Sequence, residues 1–284
     1  MLTATDAASA RAVLRGNTRT ITGADTIVAS DIGKTLLFNS STAFTLAATS
    51  AAALGDGFFC WFKNINAGLV TLDPNSPETI DGRTTIIAPK GDSGMIVCDG
   101  TGFQTLERPT VVLIDGSAIA SSTASFAVAL PAGFDRLELT IRGFEPASSG
   151  ASLQGLVSTN GGSSYAATGY RYGAVFSSDA ASSGGTSLTS AGSASALGFG
   201  AGLPTGASAG GIYKLDFYGP SDSAYYHRMN FEAAILEASS GKEFYVKGGG
   251  TLQSASAWTH FKVQPSTGNI AALIWNLRGY RGLV

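Results

Sequence analysis

Charge is what this sequence has least of. Asp, Glu, Lys and Arg make up 13% of its 284 residues, about half the quarter that is usual for a globular domain. The net charge is −2, so the chain has no electrostatic footprint for DNA, RNA or an anionic membrane. A surface so poor in charge needs another route to solubility, through Ser and Thr hydroxyls or through burial in an assembly. Histidine is nearly absent: His227 and His260 have no metal-ligand spacing. The two cysteines, Cys60 and Cys98, each sit in an apolar run and read as small buried hydrophobes rather than a disulfide. No apolar run reaches the length of a membrane span. The start, MLTATDAASARAVLRG, carries Asp6 and no apolar h-region, so it is not a signal peptide. The expectation is a chain made in the cytoplasm, with no cofactor, no metal and no membrane insertion.

What the chain does have is Gly, 37 of them, and 44% hydrophobic residues. That combination predicts an all-β fold of short strands and frequent turns. The stretch FFCWFKNINAGLVTLDPNSPETIDG, residues 58–82, shows the pattern. Apolar strands alternate with turn chemistry at Asn64 to Gly68, Asp73-Pro74 and Asp81-Gly82, which predicts a compact antiparallel unit.

Three segments follow along the chain. Residues 1–19 are an N-terminal helical anchoring segment: Thr3 and Asp6 have capping-box spacing, and Arg11 and Arg15 suit the C-terminal end of the dipole. Leu2, Val13 and Leu14 are its large apolar side chains and the candidate particle-anchoring residues; a frayed terminus is the alternative. Residues 20–108 form a small β-sandwich or barrel, with turn signals every eight to twelve residues. Arg108-Pro109 reads as a short stiff hinge. Residues 109–284 form a larger jelly-roll-like β-sandwich. Its clearest amphipathic strand puts Leu137, Leu139 and Ile141 on one face and Arg136, Glu138, Thr140 and Arg142 on the other. The Ser, Ala and Gly run at 177–211 is a surface excursion.

Several motifs tempt and fail. Gly91-Asp92-Ser93-Gly94 resembles a serine-protease nucleophile, but both histidines follow it by more than a hundred residues in the other segment. Gly206-Ala207-Ser208-Ala209-Gly210 lacks the strand and helix that flank a nucleophile elbow. Asp73-Pro74-Asn75 lacks the later ligands of a calcium loop. Asp216, Asp222, Glu232, Glu237 and Glu243 supply carboxylates for glycosidase work, and no spacing singles out a pair. The aromatics remain: Tyr165, Tyr170, Tyr172, Tyr225, Tyr226, His227 and Trp258 cluster near polar turns and are candidate glycan contacts. Core or subunit-interface burial is the competing reading, since Tyr buries area and keeps a wet hydroxyl.

Residues 21–106 also carry Asp31-Ile32-Gly33-Lys34, Gly57-Phe58 with Lys63-Asn64, Gly68 to Pro74, Glu78 to Gly82, and Asp99 to Thr101. This series resembles a β module recurrent in tailed-phage fibre and spike proteins. The start is similar to a segment that often precedes such modules. The end, Ser266 to Ile270 and on to Tyr280, resembles the closing strand of phage β domains. The resemblance implies a non-enzymatic virion fibre or head spike, made in the bacterial cytoplasm, with residues 20–108 as an adaptor or stalk and residues 109–284 as a receptor-binding tip. It would be a homo-oligomer, as a trimer, bound to other virion proteins and attaching to a host surface polysaccharide. Two alternatives stand beside it: a structural adaptor or decoration protein without receptor binding, and a capsule-degrading enzyme.

Overall fold

The computed structural model describes residues 17–66, 68–178, 187–199, 210–222, 226–236 and 243–281. The helix expected over 2–16, with Leu2, Val13 and Leu14, lies outside them. The chain divides into two compact units, Met1–Val112 and Leu113–Val284. Both are built of β-sheets, and the fold class is all-β.

In the first unit the chain passes back and forth between two sheets. β1 (Thr18–Ile21), β2 (Asp25–Ile27), β3 (Thr35–Phe38), β4 (Phe44–Ala48), β5 (Phe59–Asn64) and β6 (Val70–Asp73) alternate between them. β1, β3 and β5 run parallel in one sheet, and β2, β4 and β6 run parallel in the other. This is a solenoid of three turns. A one-turn helix, α1 (Ala51–Leu54), interrupts the second turn. β7 (Ile86–Ala88), β8 (Ser93–Cys98) and β9 (Phe103–Leu106) then close it with antiparallel pairs. The antiparallel reading of residues 58–82 is therefore corrected. β5 and β6 are not hairpin partners but stand in different sheets, each against the strand of the preceding turn. Alternating burial looks the same in both arrangements, and the turn at 64–68 serves equally as a solenoid corner. Side chains stack in ladders: Leu36 beside Phe62 and Phe38 beside Asn64, with the Phe38 and Phe62 rings stacked at 5.8 Å.

The turn motifs tie these coils together. Asp31, fully buried, receives the Arg19 guanidinium and the Val28 N–H, with Lys34 Nζ at 3.4 Å. Asn64 is buried too, and its Nδ2 donates to the carbonyls of Gly68 and Ala88, both at 2.8 Å. Glu78 accepts the Ala51 N–H of α1 at 2.8 Å. Asp81 and Gly82, both at positive φ, form a tight turn, and Asp81 accepts from the Thr105 N–H and hydroxyl. Asp99 accepts from Thr101 and Gly102, which holds its carboxyl below the usual range, the Thr101 hydroxyl leading. At Gly68 a Cβ would stand 2.1 Å from the Thr42 carbonyl oxygen, so that corner admits no side chain.

Cys60 and Cys98 are free and buried. Cys60 lies opposite Ile96, which makes Cys98 its diagonal neighbour, about 7–8 Å away and beyond disulfide geometry. Burial, aided by the Asp31 charge, pushes the Cys60 thiol up to about 12. Native protein should therefore give no fast reaction with a thiol-specific disulfide reagent at pH 8, and both thiols should titrate after denaturation.

The second unit is a two-sheet sandwich. Its strands are β10 (Val111–Ile119), β11 (Phe126–Ala129), β12 (Arg136–Pro146), β13 (Leu153–Ser158), β14 (Tyr170–Ser178), β15 (Ser187–Ala194), β16 (Leu197–Gly198), β17 (Gly211–Tyr218), β18 (Arg228–Leu236), β19 (Glu243–Leu252), β20 (His260–Pro265) and β21 (Ile270–Tyr280). One sheet has the order β10-β21-β12-β17-β18-β19-β14-β15, and the other β11-β20-β13-β16. β10 to β13 alternate sheets, and β20 and β21 return to lie between them. This is jelly-roll connectivity, with β18, β19, β14 and β15 extending one sheet.

The core between the sheets is aromatic. Phe217 meets Phe261 edge-on at 4.9 Å, and Phe199 meets Phe231 at 5.1 Å. Phe199 and Leu197 are fully buried, so the 177–211 run is more than a surface excursion: a short Ala-Leu-Gly-Phe insert within it supplies core. Surrounding low complexity hid that insert from periodicity.

Candidate functional site

The outward face of the eight-stranded sheet collects what the sequence otherwise lacks. Strand alternation turns Leu137, Leu139, Ile141, Tyr213, Leu215 and Phe217 into the core, which leaves the residues between them on the other face. Register then aligns them across strands. One row reads Tyr280, Arg136, Tyr218, Arg228. The next reads Arg278, Glu138, Asp216, Asn230, Gly249, Gly173. A third reads Asn276, Thr140, Lys214, Glu232, Lys247, Val175.

Seven of the chain's 18 Lys and Arg stand on this face: Arg136, Arg142, Arg171, Lys214, Arg228, Lys247 and Arg278. The central carboxylates are matched. Arg136 lies 3.7 Å from Glu138 and 3.4 Å from Asp216, and Lys214 lies 3.5 and 3.6 Å from the same two. The Tyr280 hydroxyl donates to Glu138 at 3.1 Å, and the Arg136 guanidinium rests 3.8 Å above the Tyr280 ring. Glu232 takes Lys247 at 3.0 Å. Glu138 and Asp216 are over nine-tenths buried beneath this cover. Burial raises the Asp216 carboxyl against the pull of Lys214 and Arg136. For Lys214, burial lowers its ammonium, but Asp216 and Glu138 outweigh that and leave it raised. Arg171 and Arg228 are exposed and have no carboxylate partner among the described residues.

The far end of the same face is apolar. Ile212 and Ile274 are 51% and 52% exposed, and Tyr245, 48% exposed, joins Ile212 through Ala234.

The structure scatters the predicted aromatic cluster. Tyr170 and Trp258 are fully buried and His227 is nearly so, which removes all three from the glycan surface. Tyr170 accepts the Val157 N–H and donates to the Ala166 carbonyl. Trp258 packs edge-on against Phe217 and His227. Their aromatic size fitted the core better than a ligand. Tyr165 is half-buried, with Lys262 Nζ 4.7 Å above its ring. Tyr172 is half-buried beside Gly198. Tyr226 is 63% exposed, two residues before Arg228, and Tyr225 lies outside the described residues. The polar row was missed because its members come from four distant strands. Only the polar face of β12 announced it.

The discounted motifs fare as follows. Asp92 is fully buried against Arg108 at 2.6 Å, and Ser93 has no histidine in its unit. Residues 206–209 and Glu237 lie outside the described residues. Asp222 and Glu243 are exposed. Among the described residues no group of His, Cys, Asp and Glu is placed to hold a metal ion, and no helix is long and apolar enough to cross a membrane.

Burial lowers the pKa of both His227 and His260, against the opposing charge of Asp222 on His227. The unfolded chain therefore takes up these protons more readily. Their contribution to stability is full above about pH 6.5 and is lost as pH falls below it. The melting temperature of the second unit should drop between pH 7.5 and pH 5. His227→Phe, which keeps the ring against Trp258, should flatten that slope; an unchanged slope counts against the assignment.

No family model and no curated protein matches the chain. Among solved structures, an exo-inulinase from Aspergillus awamori aligns at 10% identity and TM-score 0.26, over 73% of this chain and 38% of its own. A GH43 protein mutant from Bacillus licheniformis aligns at 10% identity and TM-score 0.21, over 78% and 52%. Infectious bursal disease virus, Gx strain, aligns at 11% identity and TM-score 0.11, over 75% and 60%. The chain thus spans about half or less of the first two. Likeness this slight carries no argument about fold or activity.

Proposed function

We propose that this chain is a non-enzymatic fibre or spike component of a phage-like particle, and that its second unit attaches to a host surface polysaccharide. The observation that carries the reading is the divided outward face of the large sheet. Its polar end offers Tyr, Arg, Asn and carboxylate groups in register on a rigid support, the chemistry that engages hydroxylated polymers. Its carboxylates are locked in ion pairs rather than set apart across a cleft, which favours contact over hydrolysis. The solenoid fits a stalk or adaptor role, and the turn motifs at its corners are those that resemble phage modules.

The apolar end favours a second element of the reading: contact between copies of the chain, as in a trimer. Ile212, Ile274 and Tyr245 would lose water there. Light scattering on the full chain should give a mass about three times that of the monomer. Purified protein should also bind host cells, and cells stripped of surface polysaccharide should lose that binding. A monomer that binds both kinds of cell equally would contradict the proposal.

A further inference from the structure

We infer that the Tyr218–Arg228 row, continued to Arg171, is the polysaccharide seat, and that its ligand bears a uronate on every second sugar. This rests on the attachment reading above and narrows it to a chemical class. Among the described residues Arg228 and Arg171 have no carboxylate partner, and each can grip a carboxylate bidentately. They stand on β18 and β14 with β19 between, two strand spacings or about 10 Å apart. A chain crossing the strands thus meets a cation at every second step. Tyr218, 44% exposed and opposite Arg228, supplies a ring face between charged positions.

The neighbouring row completes the seat. Gly249 and Gly173 face each other and leave a strip without side chains, flanked by Val175 and Lys247 on one side and Arg171 on the other. Asn230 leans over it, its Oδ1 3.2 Å from where a Gly249 Cβ would stand. Beyond it Glu232, 40% exposed and paired with Lys247 at 3.0 Å, offers an acceptor for a sugar hydroxyl. The sheet holds these groups in place before binding, which limits the ordering cost.

The test uses the full chain, with hyaluronate decasaccharide as the alternating uronate probe, dextran as the neutral one, and duplex DNA of similar charge. Hyaluronate should bind, dextran should not, and binding should weaken as salt rises. Arg171→Ala with Arg228→Ala should lower hyaluronate affinity at least tenfold with the melting temperature unchanged. Arg83→Ala, an exposed arginine of the first unit, should leave affinity unchanged. No hyaluronate binding, equal binding by the double variant, or equal binding of dextran would overturn the assignment. DNA bound more tightly than hyaluronate would overturn it in favour of a nucleic-acid surface. If any of these occurs while the protein still binds host cells, the seat is wrong and the attachment reading stands.

Discussion

Gly155→Val should lower the melting temperature of the second unit by roughly 6–12 °C, the equivalent of about 3 kcal/mol in a domain of this size. Gly155 sits in β13 opposite Val263 on one side and Leu197 on the other. A Cβ there would fall 2.1 Å from Phe261 Cζ and 2.8 Å from Phe199 Cζ. Neither ring has room to retreat, because Phe261 is packed on Phe217 and Phe199 on Phe231. Shortening the obstacle with Phe261→Leu should recover part of the loss in the double variant. Gly23→Ala, where nothing lies within 4 Å of the added carbon, is the control and should be neutral or slightly stabilising. Calorimetry on the full chain reads both. An unshifted transition for Gly155→Val would mean the two sheets do not meet there as described.

Arg108→Ala should destabilise the first unit by about 3–5 kcal/mol. Its guanidinium donates to Asp92 at 2.6 Å and to the Ile87 carbonyl at 2.8 Å, so it joins β7 to the start of β8. The Asp92 side chain is fully buried, and losing the cation strands its charge in a low-dielectric site. Asp92→Asn added to Arg108→Ala removes that charge and should restore much of the stability. If the single variant melts like the wild type, the pair is not the clamp it looks to be. The position that read as a hinge before Pro109 is thus a tie within the first unit, a role invisible without knowing that Asp92 lies beneath it.

The contrast between Arg108 and Leu137 shows what a sequence carries. Leu137, Leu139 and Ile141 alternate with polar residues, and a period of two reports a half-buried strand whatever the partner. The same holds for β3, β5 and β8, and for the Asp81-Gly82 and Asp99-Gly100 turns, whose backbone demands are local. Pairing is not local. Nothing in residues 58–82 distinguishes a hairpin from a solenoid corner, so the parallel order emerged only from the structure. Site residues suffered more. Tyr170, His227 and Trp258 stood near polar turns and proved to be core, whereas Tyr218, Tyr280, Arg228 and Arg171 come together only because β12, β14, β17, β18 and β21 share one sheet. Glu138 and Asp216 likewise meet through register, and their spacing along the chain carried no hint of it.

The central claim is contact without turnover at the outward face of the large sheet. The most direct test is prolonged incubation of the full chain with hyaluronate, following bound polymer and chain length together. The account predicts saturable binding with no new reducing ends, no unsaturated products and no shortening. Saturable binding accompanied by progressive cleavage would contradict it and would make the paired carboxylates Glu138 and Asp216 the first residues to substitute.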